Sequence, residues 1–93
     1  MEQPAIASAI AIAVRIVGGP TLMARRLGVS VPTVSQWASG GRPVPVERCF
    51  DVERATNGAV RRWDLRPDDW HRIWPELIGT DGAPAIPQEV AHG

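Results

Sequence analysis

PTLMARRLGVSVPTVSQWASG, residues 20–40, is predicted to form two short helices joined by a tight turn. Apolar residues recur at helical spacing up to Leu27, and Gly28 suits the positive φ at which many helices end. Ser30 is a good N-cap and Pro32 fits a first helical turn, so a second helix is expected to start at once. Two helices that share a short turn with a glycine are typical of a DNA-binding helix-turn-helix.

This motif is expected to have an inward side that packs and an outward side that contacts DNA. Side chains can contact bases only from a backbone held at a fixed angle in the major groove, so the first helix must brace the second. The predicted motif core consists of Met23, Ala24, Leu27, Gly28, Val29, Val34 and Trp37. The outward side of the second helix then carries Val31, Pro32, Thr33, Ser35, Gln36 and Ser39.

The outward side chains differ in the bases that they can contact. Gln36 can pair bidentately with N6 and N7 of adenine, and Val31 or Pro32 can contact a thymine methyl group. Ser35 and Thr33 can bond either a base or a phosphate. This side carries no arginine, so strong recognition of guanine is not expected from it.

Phosphate contacts are expected from residues that flank the second helix. Thr21 lies at the start of the first helix, where free N–H groups and the helix dipole favour an anion. Arg42 follows the second helix, and Arg48 lies early in the next predicted helix. Arg25 is a further candidate. For Arg42 the alternative that it is an ordinary surface residue stays open.

Composition and charge fit this interpretation. The 93 residues suit one small globular domain, with 44% hydrophobic residues and a mean hydropathy near zero. Residues 1–62 hold eight arginines and four acidic residues, a net charge of +4, and the remainder holds two arginines and six acidic residues, a net charge of −4. The basic part is suited to a face that meets phosphate, although the charges can also simply solvate the surface.

No metal site, cofactor or enzymatic activity is expected. The single cysteine, Cys49, cannot form an internal disulfide and is interpreted as a small core residue, and two histidines give no zinc-site spacing. His71 has no plausible nucleophile beside it.

The apolar run at residues 5–17 predicts a first helix with two stripes. One stripe, Ile6, Ile10, Val14 and Val17, is expected to face the core. Ile12 and Ile16 form the other, which is either covered by the C-terminal segment or forms a dimer surface. The run is too short to span a bilayer and lacks a basic segment before it, so neither a membrane span nor a signal peptide is expected. The protein is therefore expected to be cytoplasmic.

The second half of the chain predicts three further elements. A helix is expected from Pro45 to about Thr56, with its buried side supplied by Val46, Cys49, Phe50 and Val52. A single helical turn near Asp64 and a short helix at residues 70–74 follow. Trp70 and Trp74 share a face of that helix and either pack on the core or belong to an interface. Residues 1–78 are expected to form the domain, and 79–93 a disordered tail.

Three segments of the sequence together resemble the YdaS-like antitoxin family, a branch of the Cro and phage-repressor class of helix-turn-helix proteins. They are VGGPTLMARRLGVSVPTVSQWASG, VPVERCFDVERATNGAV and DLRPD, which lie between about Val14 and Asp68. The sequence has no strand-like alternation, which predicts an all-α fold, and the resemblance implies a five- to six-helix bundle of the lambda-repressor-like type. It also adds Ser30 to the base-contacting residues, and it implies a prophage repressor or antitoxin that is a homodimer on a palindromic operator.

Two functional hypotheses follow. The first is a sequence-specific DNA-binding transcriptional regulator, cytoplasmic and associated with the nucleoid when it binds DNA. The second is a protein-interaction module that binds a toxin or another partner through the segment of Trp70 and Trp74. The dimer surface is predicted to use either Ile12 and Ile16 or these C-terminal aromatic residues.

Overall fold

The computed structural model describes residues 8–86, and every regular element within that range is helical. The elements are α1 (Ala9–Val17), α2 (Pro20–Leu27), α3 (Val31–Ser39), α4 (Val46–Ala55), α5 (Arg62–Leu65), α6 (Trp70–Ile73) and a 3-10 turn (Pro75–Leu77). The prediction of an all-α bundle with five to six helices is confirmed. No helix within residues 8–86 has both the length and the apolar character needed to cross a membrane.

Helix α1 begins later than predicted. Ser8 has an extended backbone, and its Oγ accepts a hydrogen bond from the N–H of Ala11 at 3.1 Å. A serine side chain in that position caps a helix, so α1 starts at Ala9 and the predicted start at residue 5 is wrong. Ile6, part of the predicted core stripe, lies outside the described residues.

One side of α1 is buried and the other is open. Ile10 and Val14 are buried as predicted, together with Ala13, while Val17 is half-buried against the core. Ile12 and Ile16 are 41% and 49% exposed. The part of the C-terminal segment that the structure describes, up to residue 86, therefore leaves these two isoleucines exposed.

The pair α2 and α3 forms the predicted helix-turn-helix. Met23 and Val34 are completely buried, and Ala24, Leu27 and Trp37 nearly so. The turn between the helices begins at Gly28, whose φ of 72° is in the left-handed region that favours glycine, and its N–H donates to the carbonyl of Ala24 at 2.8 Å. Val29 is half-buried against the same core. The predicted motif core is thus a packed unit closed by a tight turn.

Helix α4 lies against α2 and buries a narrower stripe than predicted. Cys49 and Val52 are completely buried, whereas Val46 and Phe50 are 36% and 45% exposed. Successive residues of a helix diverge by about 100°, so Phe50 cannot share the buried direction of Cys49. Its ring instead lies 4.7 Å from the guanidinium carbon of Arg62.

Cys49 behaves as a core residue. Its Sγ lies 3.4 Å from the carbonyl oxygen of Pro45, to which the thiol can donate. Burial raises the pKa of Cys49 to about 11, although the positive charge of Arg66 opposes the shift. The thiol therefore stays protonated at neutral pH, as expected of an unreactive cysteine.

Two ion-pair networks fix the segment that follows α4. Oε1 of Glu53 accepts hydrogen bonds from the backbone N–H of Arg62 at 3.0 Å and from its Nε at 3.1 Å. Arg66 donates twice to the carboxylate of Asp69, at 3.2 and 2.9 Å, and once to the carbonyl of Val44 at 3.3 Å. The hydrogen bond from Arg66 lowers the pKa of Asp69. These contacts tie α5 and α6 to α4 and to the loop before it.

The C-terminal tryptophans belong mainly to the packing. Trp70 is 1% exposed and meets the ring of Trp63 edge to face at 5.8 Å. Trp74 is half-buried and packs on the core beside the guanidinium of Arg62. Since a side chain that is buried within the chain cannot contact a second copy, the prediction of Trp70 as a dimer surface is wrong.

The chain continues through two turns after the 3-10 turn. The N–H of Thr80 donates to the carbonyl of Leu77 at 3.1 Å, and that of Ala83 donates to Thr80 at 3.0 Å. Residues 87–93 of the predicted tail lie outside the described residues. The domain boundary at residue 79 stays a prediction.

Replacing Trp37 by alanine is expected to lower the free energy of unfolding by about 3 to 5 kcal/mol, because the truncation leaves a cavity in the hydrophobic core. Urea denaturation followed by circular dichroism measures the change. Leu22→Ala, at a side chain that is 42% exposed, is the matched control and should cost less than about 1 kcal/mol. A Trp37→Ala variant with the stability of the original chain that no longer binds DNA would contradict the assignment of Trp37 to the core.

Candidate nucleic-acid interface

Helix α3 exposes a polar face to solvent because its opposite face is buried in the core. Val34 and Trp37 are buried, three residues apart, and this spacing fixes the rotation of the helix about its axis. The predicted outward residues Val31, Pro32, Ser35, Gln36 and Ser39 are all exposed, and Thr33 is half-buried. The structure therefore brings the predicted base-contacting residues together on one surface.

Three hydroxyl groups on this surface already bond within the helix. Oγ of Ser30 accepts from the backbone N–H of Thr33 at 3.2 Å and lies 2.7 Å from the Thr33 hydroxyl. Oγ of Ser39 donates to the carbonyl of Gln36 at 3.3 Å. Ser30 and Thr33 thus cap the start of α3 as well as lying at the predicted interface.

The loop after α3 folds back on the end of the helix. Gly40 has a φ of 87°, and the carbonyl of Gln36 accepts from the N–H groups of Gly41 at 2.9 Å and of Arg42 at 3.3 Å. Nη1 of Arg42 also donates to Oε1 of Gln36 at 3.1 Å. Gln36 is therefore held by this loop at both its backbone and its side chain.

The contact between Arg42 and Gln36 adds an arginine beside the outward side of α3. The outward side of α3 was expected to lack arginine, and none of its own residues is one. The guanidinium of Arg42 nevertheless reaches this side from the loop. The signal available in the sequence was the pair Gly40 and Gly41, which allows the chain to reverse direction directly after the helix.

Among the predicted phosphate contacts, Thr21 and Arg25 lie exposed on α2. Gly19 provides no side-chain cap for this helix, and Pro20 has no N–H, so the N–H of Thr21 lies in the uncapped first turn. Arg26 turns toward α4, where it lines a groove of about 260 Å³ with Asp51 and Arg54.

Arg48 has a structural contact that the sequence did not reveal. Its Nη1 donates to the carbonyl of Leu27 at 3.0 Å and lies 3.8 Å from the carboxylate of Asp51. The Leu27 carbonyl belongs to the last turn of α2, where a cation is favoured by the helix dipole. Arg48 thus holds α4 against the first helix of the motif, and its role as a phosphate contact stays a prediction.

The described part of the chain offers no cluster of three or more histidine, cysteine, aspartate or glutamate side chains that could hold a metal ion. The candidate interface consists of α3, the loop after it and the exposed part of α2.

Comparison with known proteins assigns the family. The sequence model of the family described as "Bacterial toxin YdaS" matches residues 10–73, which is more than half of the chain. The chain belongs to the YdaS family. The match runs from the second residue of α1 to the end of α6 and confirms the predicted resemblance, although the family description names a toxin and the prediction is an antitoxin.

Two relatives of this YdaS-family chain are informative. It is 57% identical over 56 residues to the "Putative transcriptional regulator YdaS" of Escherichia coli strain K12, and this match covers 59% of the chain and 57% of that protein's length. It also resembles the solved structure of the Cro protein from "putative prophage element Xfaso 1" of Xylella fastidiosa strain Ann-1. That likeness has a TM-score of 0.60 and 49% identity, and covers 66% of this chain and 92% of the other. The Cro likeness confirms the predicted fold class.

Proposed function

We propose that the protein is a sequence-specific DNA-binding transcriptional regulator with α3 as its recognition helix. The observation that carries this proposal is the division of α3 into a buried side, Val34 and Trp37, and an exposed polar side centred on Gln36. A helix that is locked on one side and polar on the other is suited to enter the major groove. Similarity to a transcriptional regulator and to a Cro protein supports the same function.

Base contacts in this proposal come from the exposed face of α3. Gln36 can donate from Nε2 to N7 of adenine and accept at Oε1 from N6. Val31, which is 38% exposed, and the neighbouring Pro32 are suited to a thymine methyl group. Ser35 contributes a hydroxyl to the same surface, and Ser30, Thr33 and Ser39 flank it.

Phosphate contacts are assigned to exposed groups beside α3. Thr21 and Arg25 extend from α2, and the net charge of +4 over residues 1–62 favours the approach of a polyanion. Nη1 of Arg48 donates to the Leu27 carbonyl of α2, so only the other N–H groups of its guanidinium can contact a phosphate.

The proposed DNA site is palindromic and the protein binds it as a homodimer, because repressors of this architecture place two recognition helices one DNA turn apart. The exposed pair Ile12 and Ile16 is the surface that we assign to the dimer. Within residues 8–86 this pair stays exposed, whereas Trp70 is buried. In a two-fold dimer the same patch of both subunits forms the contact, so this surface must be complementary to its own copy.

We infer a non-enzymatic, cofactor-free role in the cytoplasm, with the protein on the nucleoid when it binds DNA. Prophage control is the context that we propose, and a toxin partner remains part of the antitoxin hypothesis. The burial of Trp70 weakens the alternative function, an interaction module that binds through the C-terminal tryptophans. No contact in residues 8–86 favours that alternative over DNA binding.

Selection from random duplexes is expected to enrich a palindrome with two half-sites about 34 Å apart. The selected duplex should bind about a thousandfold or more tightly than a scrambled one. Raising the salt from about 50 to about 200 mM should weaken binding about a hundredfold if four phosphates are contacted. No enrichment, or no binding at the lower salt, would overturn the proposed function. DNA from upstream of the protein's own gene serves as a second probe.

Gln36→Ala is expected to reduce discrimination at one base pair of each half-site by about 1 to 3 kcal/mol, while non-specific binding changes little. Competition assays against single-base-pair variants of the selected duplex measure the effect. Ser35→Ala on the same face is the comparison variant, and any loss of discrimination that it causes should fall at a different base pair. An equal loss of affinity for all duplexes would place Gln36 among the phosphate contacts instead.

Ile16→Glu, alone or with Ile12→Glu, is expected to shift the protein from dimer to monomer, because the charge cannot be desolvated at an apolar contact. Sedimentation equilibrium at micromolar concentration compares the variants with the 10.1-kDa mass of one chain. Val46→Glu, at an exposed apolar residue of α4, should leave the dimer intact. If the wild-type protein has the mass of a monomer under these conditions, the assignment of a dimer is wrong.

A further inference from the structure

We propose that Arg42 is a positioning residue that fixes the side-chain amide of Gln36 for base recognition, rather than a phosphate contact. This inference rests on the proposed function. It concerns specificity within the same site and replaces the role predicted for Arg42 from the sequence.

The path of the backbone places Arg42 for this task. The N–H groups of Gly41 and Arg42 both donate to the carbonyl of Gln36, so the loop is fixed to the residue whose side chain Arg42 contacts. From there the guanidinium returns along the helix, and Nη1 reaches Oε1 of Gln36 at 3.1 Å. Arg42 also lines a surface groove of about 320 Å³ with Trp37 and Pro43. The hydrogen bond from Arg42 to Gln36 therefore belongs to the loop that ends α3.

The chemistry of the two side chains determines what this contact does. A glutamine amide has a donor end and an acceptor end, and both orientations are open to it when it is exposed. A guanidinium has only donors, so Arg42 selects the orientation in which Oε1 faces the loop and Nε2 faces away from it.

The selected orientation still allows contact with adenine. The Oε1 atom has a second lone pair that can accept from N6, and Nε2 keeps both of its protons for N7. Fixing the amide before DNA arrives reduces the conformational freedom that is lost on binding. Discrimination by Gln36 should therefore depend on Arg42.

A phosphate contact by Arg42 makes different predictions. Removing such a contact weakens binding to all sequences equally and lowers the salt slope by about 0.9. Removing a positioning residue weakens recognition at the Gln36 base pair alone. The two roles are thus separable with one variant and one set of duplexes.

The first experiment uses the free protein and no DNA. In Arg42→Ala, the NMR signals of the Gln36 Nε2 protons should shift and the amide should become more mobile, while the backbone signals of α3 remain in place. Arg25→Ala removes a charge from neighbouring α2 and should leave the Gln36 signals unchanged. Unchanged Gln36 signals in Arg42→Ala would overturn the inference, because the contact would not exist in solution.

The second experiment measures discrimination with the selected duplex and its single-base-pair variants. Arg42→Ala should lower the preference at the Gln36 base pair by about 3- to 30-fold, with the salt slope unchanged. In Gln36→Ala, the additional change Arg42→Ala should have no further effect at that base pair, because its target is already gone. Arg25→Ala should weaken binding to all duplexes alike and lower the salt slope.

Three outcomes would overturn the inference. The first is a uniform loss of affinity for all duplexes with a lower salt slope. The second is that the effects of Arg42→Ala and Gln36→Ala on discrimination add in the double variant. The third is a loss of preference at a base pair other than that of Gln36, where Arg42 itself would contact guanine. If the wild-type protein shows no sequence preference, the proposed function fails. In that case the NMR result still decides separately whether Arg42 orients Gln36.

Discussion

The interface depends on the packing of α3 against α2. Met23 of α2 and Val34 of α3 are completely buried in one core cluster, and Trp37 belongs to the same cluster at 4% exposure. A tryptophan side chain buries about 150 to 250 Å². At about 25 cal/mol per Å² that area corresponds to about 4 to 6 kcal/mol as an upper estimate, which is comparable to the net stability of a small domain. The same contact that stabilises the fold therefore sets the direction of the exposed face.

The remainder of the chain acts on this unit through a few specific contacts. Arg48 of α4 bonds the last turn of α2, and Glu53 of the same helix holds the backbone and side chain of Arg62. Arg66 then joins the loop before α4 to the turn before α6. The polar contacts link elements that are distant in sequence, and the burial of Trp70 behind them adds apolar packing. A chain of this size buries only a small hydrophobic core, so these polar contacts supplement its hydrophobic stabilisation.

Local signals explain which parts of the structure could be predicted from the sequence. The bounds of α2 and α3 follow from Gly28, Ser30 and Gly40, whose effects act within a turn of the helix. The predicted start of α1 is too early because the apolar run extends back beyond Ser8, whose side chain caps the helix. The sequence also could not distinguish packing from an interface for Trp70, since that choice depends on neighbours brought in by the fold.

The contact of Arg42 with Gln36 could not be predicted for a related reason. From the sequence, an arginine after a recognition helix is equally compatible with a phosphate contact, a surface residue or a partner of the helix. Only the turn at Gly40 and Gly41 directs its side chain back along α3. Helical periodicity describes the residues of α3 itself, and it gives no information about a side chain that arrives from a loop.

The exposed face of α3 limits how specificity can arise in the proposed complex. One bidentate glutamine contact supplies about 1 to 3 kcal/mol of discrimination, so two half-sites supply about 2 to 6 kcal/mol. Specific protein–DNA complexes are commonly about 4 to 10 kcal/mol more stable than non-specific ones. Ser30, Thr33 and Ser39 already bond within α3, which leaves the Ser35 hydroxyl, the apolar contacts of Val31 and Pro32 and the shape of the DNA to provide the difference. In the proposed complex, loss of one half-site would remove about half of the direct discrimination, so the proposed two-fold arrangement would supply the other half.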